Sequence, residues 1–110
     1  MKQRDIYIAN LNPGMGREQK GMRPVVIVSG DAMNGNLGLS LICPISSKIK
    51  NYAASVPLKK NRLNMLKQNS EIITFQIRTI SQKRLRKKVG EISQQELEQV
   101  FKGLADVLKY

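Results

Sequence analysis

The sequence predicts a mainly β domain, a small antiparallel barrel or strongly curled sheet, with one α-helix at its C-terminal end. Short apolar runs rich in Ile and Val recur along the chain up to Ile80, separated by segments that contain Gly, Pro and Asn. Sustained helical spacing of apolar residues occurs only after Ser93. With 110 residues, 41% of them hydrophobic, the chain can bury one core, so residues 1–110 are expected to form a single domain.

The first half of the chain contains four predicted strands. Asp5–Asn10 alternates apolar and polar side chains, as a half-buried strand does. Pro24–Ser29 and Leu39–Ile45 are apolar runs typical of buried strands, and Asn34-Gly35 between them indicates a turn. Ser55–Leu58 is expected to be a short strand.

The second half contains one long predicted strand and the predicted helix. Residues 59–70 form an irregular connection, and Glu71–Ile80 is a strand by its period-two pattern. Ser81–Lys88 has a composition that tolerates a short helix, with Leu85 pointing inward. Ser93 and Glu96 have the spacing of a capping box, which places a helix N-terminus at the serine. The apolar stripe of this helix is expected to lie in the core: Leu97, Val100, Phe101, Leu104, Val107 and Leu108.

The charge of the chain predicts a polyanionic partner. The sequence has 19 Lys and Arg against 8 Asp and Glu, a net charge of +11, and both halves are basic. Nucleic acid, an anionic membrane or an acidic protein would each be attracted, and the alternative is a basic surface that serves solubility alone. Lys83–Lys88 has five cations in six positions, which indicates either a solvated surface turn or a patch that follows a nucleic-acid backbone.

The cysteine and histidine counts exclude several classes of site. Cys43 is the only cysteine, so an internal disulfide cannot form, and its apolar neighbours predict an inert core residue. The chain has no histidine, which argues against a zinc site and removes the usual general base. No apolar run is long enough for a signal peptide or a membrane-spanning helix, so a cytoplasmic protein is the default expectation.

The loop from Gly16 to Pro24 has the composition of an anion site. Gly16 and Gly21 allow positive φ values and close approach of the backbone to a ligand. Arg23 lies where the loop becomes a strand, and Pro24 fixes φ directly after it. A guanidinium group on so stiff a mount is suited to binding a phosphate.

Five sequence blocks, in order over nearly the whole chain, resemble the MazF/PemK/Kid toxins of bacterial toxin–antitoxin pairs. They are Asp5-Ile6-Tyr7, Gly16-x-Glu18-Gln19-x-Gly21-x-Arg23-Pro24, Pro44-Ile45-Ser46-Ser47, Gln76-x-Arg78-Thr79-Ile80, and Arg84-Leu85 with Gly90 and the final helix.

The resemblance implies a fold, an activity and partners. Members of this family have a curled sheet of the SH3-like barrel or MazF/CcdB-like type and pair as homodimers. Most are endoribonucleases that cut single-stranded RNA, usually messenger RNA, at short sequences without a metal or other cofactor. An antitoxin with an acidic, flexible tail inhibits each of them. The RNA carries its own nucleophile, because the 2′-hydroxyl can attack the adjacent phosphorus when it is held in line.

The resemblance also assigns roles to individual residues. Arg23 and Ser46 fall at the catalytic positions of the family. The residues that fall at substrate-binding positions, or that support them, are Arg17, Gln19, Ser47, Gln76 and Arg78. Phe75 departs from the pattern, because some members have Asp or Glu immediately before the Gln of the Gln-x-Arg-Thr motif. If that acid is a required base, this chain uses another group or does not cleave RNA.

Each assignment has a structural alternative. Arg23 could form an ion pair with Glu18, Ser46 could cap a turn, and Arg78 could join an ion pair on the sheet. Gln19 and Gln76 could hold the loop backbone instead of a ligand. At the level of function, the alternatives are a non-cleaving toxin of the same fold, of the kind that poisons DNA gyrase, and an RNA-binding module without catalysis.

Overall fold

The computed structural model describes residues 1–109, which form seven β-strands, two α-helices and two short 3-10 turns. The strands are β1 (Asp5–Asn10), β2 (Met22–Ile27), β3 (Leu39–Ser46), β4 (Val56–Leu58), β5 (Ser70–Ile72), β6 (Arg78–Ser81) and β7 (Leu85–Glu91). The helices are α1 (Asp31–Asn36) and α2 (Gln94–Val107), and the 3-10 turns are Thr74–Gln76 and Gln82–Arg84.

All strand pairs are antiparallel, in the order β4-β5-β3-β2-β1-β7, and β6 also pairs with β3. The long strand β3 therefore has two partners on one side. Its first half, Leu39–Ile42, pairs with β6, and its end, at Ile45 and Ser46, pairs with β5. The predicted mainly β fold with a C-terminal helix is confirmed, and the sheet is open, since β4 and β7 at its two ends do not pair with each other.

Two apolar clusters fill the interior, and β2 contributes to both. Val26 belongs to the cluster that α2 covers, whereas Val25 and Ile27 belong to the second. Successive side chains of a strand point to opposite faces, so a strand buried on both sides is apolar without interruption. This explains the continuous β-branched run in the sequence.

The prediction of one long strand over Glu71–Ile80 is wrong. The chain leaves the sheet after Ile72, forms the 3-10 turn, and returns as β6. The Ile73 N–H donates to the carbonyl of Pro44 at 2.9 Å, and the Thr74 hydroxyl donates to the carbonyl of Ala54 at 2.9 Å. These contacts hold the turn between the two segments that pair with β3, so the period-two pattern does not continue through it.

The turn predicted around Asn34 is helix α1. The Asn34 side chain is buried, where it donates to the carbonyl of Ser29 at 3.0 Å and accepts from the hydroxyls of Ser29 and Ser40 at 2.5 and 2.8 Å. These bonds fix the helix against the end of β2 and the start of β3, which outweighs the turn preference of the Asn-Gly pair.

The short helix that the composition of Ser81–Lys88 tolerates is limited to the 3-10 turn Gln82–Arg84, and β7 follows at once. Leu85 is buried, and Lys88 forms an ion pair with Asp5 of β1 at 3.3 Å. β7 pairs only with β1 and is therefore an edge strand, a position where exposed cations discourage pairing with other chains.

Helix α2 begins as predicted. The Ser93 hydroxyl accepts from the Glu96 N–H at 3.1 Å, and the Glu96 carboxylate accepts from the Ser93 N–H at 2.8 Å. Leu97 and Val100 are buried, but the outer part of the predicted stripe is not: Phe101, Val107 and Leu108 are exposed. Neither helix of the described chain has the length and apolar character needed to cross a membrane.

Candidate active site

The connection between β1 and β2, residues 11–21, is a closed loop. At its base, Leu11 donates its N–H to the carbonyl of Gly21 at 2.9 Å, and Gly21 donates to the side chain of Asn12 at 2.9 Å. Arg84 donates to two backbone carbonyls at the start of the loop. Gly16 and Gly21 have φ values of 58° and 79°, a region that favours glycine, as the sequence predicts.

Gln76 holds the far side of this loop. Its side-chain oxygen accepts from the Gln19 N–H at 2.8 Å, and its amide nitrogen donates to the Arg17 carbonyl at 3.3 Å. The alternative in which Gln76 supports loop backbone is thus the one observed. The side chain of Arg17 is exposed and that of Gln19 is half-buried.

Arg23 is exposed at the start of β2. Its Nε donates to the Lys20 carbonyl at 3.0 Å, which orients the guanidinium group while both terminal nitrogens stay without a hydrogen bond inside the described chain. The ion pair with Glu18 does not form. Within residues 1–109 the ion pairs are Lys88–Asp5 and Lys109–Asp106.

The register between β2 and β3 brings Arg23 towards Ser46. The paired residues include Val25 with Pro44 and Ile27 with Ile42. The ladder ends at Val25 and Pro44, and Arg23 and Ser46 are the residues two positions beyond that last pair on their respective strands. Ser46 is only 6% exposed, and its hydroxyl accepts from the Lys48 N–H at 3.2 Å. The serine therefore also caps the turn that follows β3.

A basic cleft of about 620 Å³ lies beside these residues. Its lining includes Arg23 and Ser47, whereas the buried Ser46 is not part of it. The other cations of the cleft are Lys67, Lys87 and Lys88, and its apolar lining includes Ile8, Pro24, Ile45, Leu66 and Val89. None of its lining residues is a carboxylate, so the cleft favours an anionic ligand.

Arg78 lies apart from this group. It is opposite Ile42, four residues before Ser46 on β3, which corresponds to about 13 Å along the strand. It forms no ion pair in the described chain, and its buried Nη1 has no hydrogen-bond partner there. A buried N–H without a partner is unfavourable, so this position is suited to an acceptor or an anion.

Glu71 is a structural residue of the site that the sequence analysis did not identify. Its carboxylate is 1% exposed, and it accepts from the Lys50 N–H and the Ser55 hydroxyl, both at 3.0 Å. It thus fixes both ends of the 50–55 segment, which follows Ser46 and Ser47. The only sign of this role in the sequence is that Glu71 is a single charged residue beside the apolar pair Ile72 and Ile73.

Cys43 lies inside the sheet and is buried, as predicted. Burial raises the pKa of its thiol from 9.0 to about 12, because the charged thiolate is disfavoured in an apolar interior. At neutral pH the residue is therefore an inert neutral thiol, and the chemistry of the site does not use it.

The family model for PemK-like, MazF-like toxins of type II toxin–antitoxin systems matches residues 2–108. The chain belongs to this family. Endoribonuclease MazF of Staphylococcus saprophyticus is 32% identical to it over 102 residues, which cover 91% of this chain and 84% of that relative. The crystal structure of MazF from Deinococcus radiodurans superposes with a TM-score of 0.81 at 27% identity, covering 97% of this chain and 94% of the other. A MazE–MazF crystal structure from the same organism has a TM-score of 0.78 at 27% identity, covering 98% and 95% of the two chains.

In this member of the MazF-like family, the residue that departs from the family motif is at the surface. Phe75 lies in the 3-10 turn next to Gln76 and is 42% exposed. Its ring meets that of Tyr52 edge to face, with the ring centroids 5.0 Å apart. An aromatic pair, and not a carboxylate, thus occupies this position.

Proposed function

We propose that this chain, as a single domain over residues 1–110, is the toxin of a toxin–antitoxin pair and an endoribonuclease that cleaves single-stranded RNA. The observation that carries the proposal is an exposed, oriented Arg23 in a cleft lined by cations, near the start of β2, whose neighbour β3 ends at Ser46. Family membership and the 32% identity to an endoribonuclease MazF support the same activity.

The substrate supplies the nucleophile in the proposed reaction. The 2′-hydroxyl oxygen loses its proton and attacks the adjacent phosphorus, the bond from phosphorus to the 5′ oxygen breaks, and the 5′ oxygen takes up a proton, so that a 2′,3′-cyclic phosphate and a 5′-hydroxyl result with no net change in protons. Because no hydroxide has to be generated, the reaction needs no metal ion. The protein has to hold the chain in line and stabilise the negative charge that grows on the phosphoryl oxygens.

Arg23 and Ser46 take the roles that this chemistry requires. The terminal nitrogens of Arg23 bind the phosphoryl oxygens and stabilise the transition state, and the guanidinium group assists the departure of the 5′ oxygen. The Ser46 oxygen already accepts a hydrogen bond from Lys48, so its own O–H is available to donate to a phosphoryl oxygen. Ser47 and the lysines of the cleft bind the neighbouring RNA, with Arg17 at the loop. Gln19 and Gln76 keep the loop in place, and Arg78 is a second anion contact further along β3.

Two partners and a location belong to the same proposal. An antitoxin with an acidic segment would bind the basic cleft, and the similarity to a MazE–MazF complex supports such a partner. The active toxin is proposed to be a homodimer that acts on RNA in the cytoplasm.

The experiment that tests the proposal is cleavage of a long single-stranded RNA in EDTA, with primer extension to map the cuts. The unaltered protein should cut at a short repeated sequence, and Arg23→Ala should lower the rate on the order of a hundred- to a thousandfold. Arg62→Ala removes another exposed arginine, one that does not line the cleft, and should cut at the normal rate. A folded Arg23→Ala protein with full activity would refute the role of Arg23. Intact RNA together with inhibited DNA supercoiling would refute the nuclease.

A further inference from the structure

We propose that Tyr52 and Phe75 form an aromatic platform on which a base of the RNA substrate stacks, beside the reacting phosphodiester. This inference rests on the proposed ribonuclease function and adds a specificity-determining element to it. The two residues are defined here as the aromatic platform. The inference is argued from the exposure of the two rings, from the hydrogen bonds that fix their backbone and from the charges around them.

Both rings of the platform are accessible to a ligand. Tyr52 is 39% exposed and Phe75 is 42% exposed, and their planes meet at 87°. In such a T-shaped pair the edge of one ring covers one face of the other, so an outer ring face remains available for stacking. Neither ring belongs to the two apolar clusters, so packing of the core does not account for them.

The backbone that carries Tyr52 is fixed at several points. The buried Glu71 carboxylate binds the Lys50 N–H and the Ser55 hydroxyl, one on each side of the tyrosine. The Tyr52 carbonyl accepts from the Ser55 N–H at 3.1 Å, and it lies 2.8 Å from the Ser55 hydroxyl, which shares its single proton between this carbonyl and the Glu71 carboxylate. A ring mounted in this way loses little conformational entropy when a ligand binds.

Phe75 is fixed in the same manner from both of its neighbours in the chain. On one side, Thr74 is buried and its hydroxyl donates to the Ala54 carbonyl. On the other side, Gln76 binds the backbone of the 11–21 loop. The position of the ring therefore follows both from the segment that carries Tyr52 and from the loop that leads into Arg23.

The charges around the platform favour RNA as its ligand. Residues 47–55 contain Lys48 and Lys50, both exposed, and no Asp or Glu, and the loop that Gln76 holds exposes Arg17 and Lys20 with one carboxylate, Glu18, between them. Flat aromatic faces between cations are the combination by which proteins bind single-stranded nucleic acid, with bases on the rings and phosphates on the cations. Glu71, whose carboxylate holds the 50–55 segment, is paired with Ser46 across β5 and β3, which connects the platform to the proposed site of cleavage.

The test measures binding of a short single-stranded RNA that contains the mapped cleavage sequence and a 2′-deoxy nucleotide at the attacking position, so that it cannot be cut. Phe75→Ala should raise the Kd by roughly 5- to 150-fold, as is typical when a stacking ring is lost. Phe75→Trp should retain the affinity. Phe101→Ala is the matched control, because Phe101 is a phenylalanine of 43% exposure on α2, and its Kd should not change.

A second set of probes separates stacking from a structural role. Single nucleotides of the RNA are replaced by abasic ones. At one position this replacement should weaken the affinity of the unaltered protein as much as Phe75→Ala weakens the affinity for the intact RNA. At that position Phe75→Ala should show no further loss, since the contact is already absent.

The outcomes keep the platform and the nuclease distinguishable. If the unaltered protein cuts RNA and Phe75→Ala binds it with normal affinity, the platform is wrong and the nuclease stands. If Phe75→Ala alters only the oligomeric state in sedimentation, or only the affinity for an acidic peptide, the platform serves a protein contact and the inference is equally wrong. If the unaltered protein neither binds nor cuts RNA, the proposed function itself fails.

Discussion

The two hydrogen bonds from the Gln76 side chain to the 11–21 loop allow a quantitative prediction. Gln76→Ala removes the bond of 2.8 Å to the Gln19 N–H and the longer bond of 3.3 Å to the Arg17 carbonyl. A neutral hydrogen bond contributes about 0.5–1.5 kcal/mol net, and with the longer bond counted at the low end of this range the pair stabilises the closed loop by about 1–2 kcal/mol. Most of this loop is exposed, so the loss should affect the order of the loop more than the stability of the fold.

The expected result is a lower kcat/KM with a nearly unchanged melting temperature. If the closed loop is needed to present Arg23, a loss of about 1–2 kcal/mol corresponds to a decrease of roughly 5- to 30-fold. The measurement is cleavage of single-stranded RNA at substrate concentrations below KM, together with thermal unfolding of the same preparations.

Gln82→Ala is the matched control. The Gln82 amide also donates to the backbone, at 2.7 Å to the Asn34 carbonyl and 3.4 Å to the Leu39 carbonyl, and to the Ser40 hydroxyl at 3.1 Å, near the opposite end of β3. Its loss should lower the melting temperature and leave kcat/KM within twofold or so of normal. Equal kcat/KM for Gln76→Ala and the unaltered protein would refute the reasoning, because the loop would then present Arg23 without this support.

Two further predictions concern stability. A Cβ atom at Gly90 would lie 2.5 Å from a backbone carbonyl oxygen, so Gly90→Ala should lower the free energy of unfolding by about 1–3 kcal/mol in denaturant titrations. Gly35→Ala, in helix α1 with no atom within 4 Å of its Cβ, should not; equal stabilities for the two would contradict the steric argument. Burial raises the pKa of Cys43 from 9.0 to about 12, so between these values the folded chain keeps a proton that the unfolded chain has lost. The free energy of unfolding should therefore fall with pH above about 9, by at most about 1.4 kcal/mol per pH unit. Chemical denaturation at several pH values should show that Cys43→Ala removes this part of the pH dependence. Parallel plots of the free energy of unfolding against pH for the two proteins would refute the prediction.

The parts of the fold that were predictable are those determined by local chemistry. The capping box at Ser93 and Glu96 marks a helix start whatever surrounds it, and the run Val25–Val28 can hardly be anything but buried. The turn at Thr74–Gln76 was not predictable in this way. It depends on β3 having two partners on one side, which is a property of the whole sheet and leaves no mark on period-two spacing.

In the candidate site too, the features set by local sequence were predictable and those set by distant contacts were not. The positions of Arg23 and Pro24 at a loop–strand junction followed from composition, and the family motif supplied Ser46, which no local pattern singles out. The anchoring role of Glu71 was not visible in the sequence, because its partners are 16 and 21 residues away. The separation of Arg78 from Ser46 likewise depends on strand pairing that the motif does not encode.

The hydrogen bonds of the Glu71 carboxylate affect which substitutions the neighbouring segment can accept. The carboxylate accepts hydrogen bonds from the backbone of residue 50 and the side chain of residue 55, and Tyr52 takes part in this network through its carbonyl. The side chains of residues 51–53 form none of these hydrogen bonds. Replacing them alters what the surface offers to a ligand while the sheet beneath keeps its register. New substrate preferences can therefore arise by single substitutions at residues 52 and 53, whereas Asn51, with a φ of 53°, is restricted to residues that tolerate a positive φ.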